Sequence, residues 1–368
     1  MAELHLKAPP LKVPAMSSIC EARTKVGFLC WQKLIPKIYF LFRDFFGEKL
    51  TWKGFHIYAI DGSKTNLPRE LVKLKYKKPS PNSYYPQGMI SALYDVNAKM
   101  PVNLVLSRHH DERRISKKHL PFLDKNCLVL YDRHYFARWL FALHLECGVH
   151  AVFRLKTKLL KEFNEFLASD SQDAVIDIRD GNGGFFKVRF IKASIKSKPY
   201  YFATTLLDQV QFSAAEIVSL YAKRWTIEEG FKFIKQDLCL EKYHSKNPDG
   251  VKQELMVNAI LLQITRVLGV LIPKTKRSKK LNYKPHQGIL VQSITSDVLF
   301  HQWKDGKVSH QLVSCLVLTT KKFLVSSPPN RCFERRNRSP KSKAQRLRSK
   351  YRDRKKHDQH FVRQAFPP

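Results

Sequence analysis

Acids are scarce in this 368-residue chain: 31 Asp and Glu stand against 66 Lys and Arg, a formal net charge of +35. Such an excess of one sign opposes compaction unless a polyanion is the partner. The chain also lacks any run of 18 uncharged apolar residues, a secretory leader and a lipidation motif. These absences argue against an anionic membrane as that polyanion. The most apolar stretch, LMVNAILLQITRVLGVLI, carries Asn258, Gln263 and Arg266 and reads as a buried helix. The seven cysteines are scattered with no C-x-x-C pair. That pattern argues against a zinc site and for a reducing cytosol, with each cysteine a small buried apolar residue. Internal repeats are absent as well. Nucleic acid is the polyanion that remains, and its binding should weaken steeply with salt.

What the chain does have is a spacing. Tyr221, Arg224, Glu228 and Lys235 form Y-x2-R-x3-E-x6-K within YAKRWTIEEGFKFIK. Steps of three, four and seven keep all four side chains near one stripe of a helix. Ile227, Phe231, Ile234 and Leu238 form an apolar stripe about 100° away, suited to a core. Ser213, with Glu216 three residues on, predicts a capping-box start for the preceding segment AAEIVSL. A surface helix with i,i+4 salt bridges, Arg224 to Glu228 and Glu228 to Lys232, accounts for the same spacing.

Along the chain, residues 1–16 read as unstructured. Residues 20–46 read as helical, with Phe28, Trp31, Leu34, Ile35, Ile38 and Leu41 at helical intervals. FHIYAIDGS reads as a buried strand ending at Asp61, and MISALYDV with VNLVLSRHH as a hairpin. A charged helical stretch spans about Arg113–Leu120. CLVLYDRHY is a second buried strand, ending at Asp132. YFARWLFALHLECG is a helix closed by Gly148, and HAVFRLK is another strand. This β-β-β-α-β-α-β order predicts an α/β fold, a mixed sheet flanked by helices. Residues 160–212 read as a β-rich insertion, with a turn at Gly181–Gly184. Residues 331–363 hold 14 Lys/Arg and 3 Asp/Glu. Residues 326–368 therefore read as a basic tail, a phosphate-binding arm or simply a solvated one. The remainder still carries about +24, so the body is basic too.

Asp61, Asp132 and Glu228 are the candidate acids. Phosphodiester cleavage at a metal site needs carboxylates that converge from different segments on two Mg2+ ions, one for the attacking oxygen and one for the leaving oxygen. Mg2+ takes oxygen ligands, with Mn2+ as a substitute. Each acid has a plainer account. Asp61 in D-G-S suits a turn, Asp132 suits a helix cap, and Glu228 suits a salt bridge, with Glu229 as a rival acid. Arg224 can grip a phosphate by its fork, Lys235 can add a point charge, and Tyr221 can donate to a phosphate or stack on a base.

On YAIDGSKTNLP, the DERR segment Asp111–Arg114, LVLYDRHYFARWLF, VFRLK and YAKRWTIEEGFKFIK, the chain resembles the insertion-sequence-4 family of DDE transposases. The Y-x2-R-x3-E-x6-K spacing is that family's hallmark and picks Glu228 over Glu229. The resemblance implies a ribonuclease-H-like core over residues 51–325, with the β-rich insertion at about 160–212 preceding the last catalytic helix. It implies Asp61, Asp132 and Glu228 as catalytic metal ligands and Tyr221, Arg224 and Lys235 as DNA-binding residues. It implies cut-and-paste transposition through a hairpin intermediate, by a dimer on double-stranded DNA that holds the terminal inverted repeats and target DNA in the bacterial cytoplasm. Three departures stand out. His134 replaces a family glycine, and strain is expected if that position needs φ > 0. The 160–212 stretch has no Trp to stack on a flipped base, leaving Phe185, Phe186, Tyr200 or Tyr201. Residues 1–50 form only a short helical segment where relatives carry a longer end-binding region. The alternative is an inactive or truncated remnant that acts only as a DNA-binding protein.

Overall fold

The computed structural model describes residues 15–157, 159–179, 184–195, 197–271, 282–294, 314, 318 and 324–327. Residues 1–14 of the stretch read as unstructured, the turn expected at Gly181–Gly184 up to residue 183, and the basic tail from residue 328 lie outside the described residues, as do Cys315 and Cys332.

Two helices open the chain, α1 (Met16–Lys25) and α2 (Phe28–Phe46), separated at Val26 and Gly27. The strands and helices that follow are β1 (His56–Asn66), β2 (Gln87–Asp95), β3 (Met100–Ser107), α3 (Glu112–Ser116), β4 (Cys127–Tyr131), α4 (Arg138–Glu146) and β5 (His150–Arg154). Next come α5 (Lys161–Ala168), β6 (Asp173–Arg179), β7 (Phe185–Ile195), β8 (Lys198–Thr204), α6 (Ala214–Ala222), α7 (Trp225–Lys232) and α8 (Pro248–Leu271).

One eight-stranded sheet, in the order β3-β2-β1-β4-β5-β8-β7-β6, carries the structure. β1, β2 and β3 are antiparallel neighbours, while β4 and β5 run parallel to β1 and to each other. This mixed half of the sheet is the ribonuclease-H-like arrangement that the resemblance implied. β6, β7 and β8, the expected β-rich stretch, extend the same sheet, because β8 pairs antiparallel with β5 through Val152 and Thr204.

Alternation in the strands produces two cores. On β1, Ile57 and Ala59 face one cluster while Tyr58 and Ile60 face the other. On β4, Leu128 and Leu130 face the first, and Val129 and Tyr131 the second. The two-residue side-chain period of a strand, with both faces covered, gives these near-continuous apolar runs. α6, α7 and α8 add Leu220, Ile227 and Leu255 to the first cluster, and α4 and α5 add Phe141 and Phe163 to the second.

The apolar stretch that begins at Leu255 is helical to Leu271, as expected, and buries Leu255, Met256, Ala259, Ile260 and Leu262 while leaving Val257 and Val270 exposed. Gln263 on α8 is buried and donates to the carbonyls of Ile35 (2.9 Å) and Pro101 (2.8 Å), joining α2 to β3. Among the described residues no helix is long and apolar enough to cross a membrane. Two expectations fail. Cys127 is buried, but Cys20, Cys30, Cys147 and Cys239 are exposed. They lie where helix surfaces and loop turns place them, outside the packed faces. Leu34 and Leu41, counted in the apolar stripe of α2, are also exposed, because α2 buries the narrower face made by Ile35, Tyr39 and Phe42.

Candidate active site

β1 and β4 set the first two acids. Their parallel register pairs Ile60 with Tyr131, so the next residue on each chain, Asp61 and Asp132, stand level. Both share the side-chain parity of the α7-facing cluster, and neighbouring strands lie only about 4.8 Å apart. β4 stops at Tyr131 while β1 runs on to Asn66, which leaves an open strand edge beside Asp61. The Asp61 carboxylate accepts from the Gly62 amide (2.9 Å), and Asp132 from the Arg133 amide (2.6 Å).

The third acid arrives on a helix that is broken, contrary to the single stripe expected. Ser213 and Glu216 form the predicted capping box on α6. At the junction with α7, however, the amides of Lys223, Arg224, Thr226 and Ile227 bond three residues back. Such bonds tighten the turn and stack residues three apart, so Arg224 lies over Tyr221, with Cζ 5.8 Å from the ring centre. After Lys232 the chain widens into a π-helical turn, Phe233–Asp237. α7 itself rests on β2, where Gly230 makes room for Tyr94. A Cβ there would stand 2.7 Å from the ring, which the Tyr94 hydroxyl holds in place by donating to the Lys99 carbonyl.

This path brings Arg224 between two of the acids. Its guanidinium, 8% exposed as a residue, donates to Asp61 Oδ2 at 3.3 Å and to Glu228 Oε1 at 2.7 Å. Glu229, the rival acid, is exposed. The Tyr221 ring is buried edge-on against Phe202, and its hydroxyl leans on Arg224 without closing a hydrogen bond. Lys235, in the π turn, donates to Ser63 Oγ and to the Lys64 carbonyl on β1. The expected site residues thus share one end of the sheet, but by three different backbone routes.

A fourth acid, not singled out in the sequence, lies close by. Glu112 belongs to the DERR segment and heads α3, and its carboxyl sits 2.9 Å from where a Cβ of Gly62 would be. Its field reaches both Asp61 and Asp132. An acid inside a motif shared with the family was the available signal.

Burial pushes the Asp61 carboxyl up to about 7, against the downward pulls of Arg224 and the Gly62 amide, while Glu112 and Asp132 push it further up. Burial also raises Glu112, which His134 and Lys64 pull back down. Since Asp61 is raised when folded, its neutral form favours the fold. That contribution is full below the unfolded value of 3.8 and is lost as pH rises through about 7. Asp61→Asn, neutral at every pH, should therefore unfold later than wild type at pH 8 without divalent cations. The advantage, up to roughly 4 kcal/mol, should shrink toward pH 5. Chemical denaturation at the two pH values measures it, and a pH-independent difference would refute the assignment.

Among the described residues no three His, Cys, Asp or Glu side chains close into a cation cage. The donors themselves are nonetheless all carboxylate oxygens, the chemistry of a hard divalent cation. A positive group, Arg224, already bridges Asp61 and Glu228. The His134 departure brings no strain: His134 is absent from the described residues with positive φ, and its Nδ1 lies 2.9 Å from Lys156 Nζ.

Residues 52–264 match the family described as the transposase DDE domain. The chain is 23% identical over 298 residues to the transposase InsG for insertion sequence element IS4 of Escherichia coli (strain K12). That similarity covers 74% of this chain but 64% of the relative, so the chain spans a little under two thirds of that protein's length. Among solved structures it is similar to a cryo-EM structure of the piggyBac transposase synaptic complex with hairpin DNA, with a TM-score of 0.44, 11% identity, and coverage of 78% of this chain and 61% of that one.

Proposed function

The chain belongs to the transposase DDE domain family, and on that premise we propose that it is a DNA transposase that cuts and rejoins strands with Asp61, Asp132 and Glu228. One observation carries the assignment of roles: a single guanidinium, Arg224, ties Asp61 on β1 to Glu228 on α7, beside the strand end that bears Asp132. Enzymes of this family generally use divalent metal ions, and Mg2+ is the ion proposed here, with Mn2+ as its substitute. Bound there, the cations would activate the attacking oxygen and stabilise the leaving one. The protein's part is to hold its carboxylates at fixed height. Two are anchored on neighbouring strands, and the third is positioned by the seat of Gly230 on Tyr94.

Around the acids, Lys64, Arg133, Lys156 and Lys232 are exposed cations suited to the phosphates of double-stranded DNA. Lys235 stands at the same end, while Tyr221 is buried, with its ring packed on Phe202 and its hydroxyl beside Arg224. Of the four aromatics open for base stacking, Tyr200 fits best. It shares the parity of Phe202, which packs on Tyr221, and Arg154 lies 4.5 Å over its ring at the end of β5. The proposed partners are transposon-end inverted repeats and target DNA, held by a dimer.

The test incubates the 368-residue chain with duplex DNA that carries the inverted repeats flanking its coding region. Nicked and hairpin products are expected with Mg2+ or Mn2+ and none with a chelator. Salt-sensitive DNA binding without cleavage under any divalent cation would overturn the enzymatic reading and leave only a DNA-binding protein.

A further inference from the structure

Glu112 has no role in the scheme so far, yet the fold makes room for it. Gly62 follows Asp61 on β1, so a side chain there would point to the opposite face. The Glu112 carboxyl occupies that space, with both Cδ and Oε1 2.9 Å from an ideal Cβ. Any larger residue at 62 would displace it. Because β4 ends level with Ile60, the strand edge beside Gly62 is uncovered. Glu112 lies on the Gly62 face and Asp132 shares the parity of Asp61, so Asp61 has an acid toward each face of the sheet.

A second group points the same way. Tyr135 is fully buried, yet its hydroxyl has no hydrogen-bond partner and only leans on Glu112. The acids whose fields reach it are Asp61, Glu112 and Asp132. An unpaired buried hydroxyl is destabilising, so a donor kept in such a place needs an acceptor.

We propose that Glu112 is a fourth carboxylate of the cation site, a positioning residue that holds the water of a divalent cation bound at Asp61 and Asp132, with the Tyr135 hydroxyl steadying it. This rests on the divalent-cation reading above. Action through water agrees with the reluctance of Mg2+ to shed its hydration. Partners beyond the direct ligands commonly change metal affinity 10- to 100-fold.

The experiment titrates Mn2+ alone into the DNA-free chain by isothermal calorimetry. Glu112→Gln should weaken binding about tenfold with an unchanged Tm. Tyr135→Phe should weaken it less, with an unchanged or higher Tm, an outcome that a purely structural role would not give. Glu112→Asp keeps the charge but withdraws the carboxylate, and a partial loss is expected there even if the glutamine variant does not fold. Wild-type affinity in the Glu112 variants, with a large loss in Asp61→Asn, would overturn the role of Glu112 and leave the cation reading standing. A wild-type chain that takes up no Mn2+, or an Asp61→Asn variant that binds normally, would bring down both.

Discussion

Glu228→Gln is expected to lower divalent-cation-dependent strand cleavage by about a thousandfold or more while shifting Tm by no more than a few degrees. Glutamine preserves the shape of the side chain and an oxygen for Arg224 Nη2, which now bonds Glu228 at 2.7 Å. What it removes is the negative charge. A metal's stabilisation of developing charge is worth several kcal/mol, and about 4 kcal/mol corresponds to a thousandfold in rate. Glu229→Gln serves as the control, because Glu229 is exposed and the helix carboxylate that Arg224 bonds is Glu228. Cleavage kinetics on an end-bearing duplex, with circular dichroism to check the fold, decide the matter. Retention of more than about a tenth of the rate would remove Glu228 from the catalytic set.

The second large effect concerns stability. Arg189→Met is expected to cost about 3–5 kcal/mol, lowering Tm by roughly 10 °C for a body of this size. Arg189 is fully buried on β7. Its Nε and Nη2 fork onto Asp173 of β6 at 2.8 and 2.5 Å. Its Nη1 donates to the carbonyls of Leu206, Asp208 and Phe212 at 3.1, 3.2 and 2.7 Å. One side chain thus ties the added strands to the segment that leads into α6. Methionine fills the volume but leaves a carboxylate and three carbonyls without their donor. Adding Asp173→Leu should restore part of the loss, because the stranded charge is gone, but not the part due to the carbonyls. Thermal melts of the two single variants and the double variant test this. An Arg189→Met loss below about 1 kcal/mol would show that the fork is dispensable.

These two residues differ in how visible they were. Glu228 stood out because its spacing from Tyr221, Arg224 and Lys235 is a property of consecutive residues. Arg189 did not: it reads as one more cation in a basic strand, and its five acceptor atoms come from Asp173 on one side and from the stretch Leu206 to Phe212 on the other. The strands were legible for a similar reason. Alternation in β1 and the apolar runs of β4 and β5 depend on which face each residue takes, which the period alone decides. The Ser213–Glu216 cap was legible because it spans only three residues.

Composition and local spacing alone determined a basic body, a mixed α/β order, and two strands and a helix that each present an acid. Those properties arise within a few residues of chain, where backbone geometry fixes what neighbours can do. Tertiary structure decided what the acids meet. Register set Asp132 level with Asp61, the tight junction between α6 and α7 placed Arg224 between Asp61 and Glu228, and the missing side chain of Gly62 admitted Glu112 from the other face. Convergence of this kind depends on strand pairing and packing across more than 160 residues of separation, and no local period encodes it.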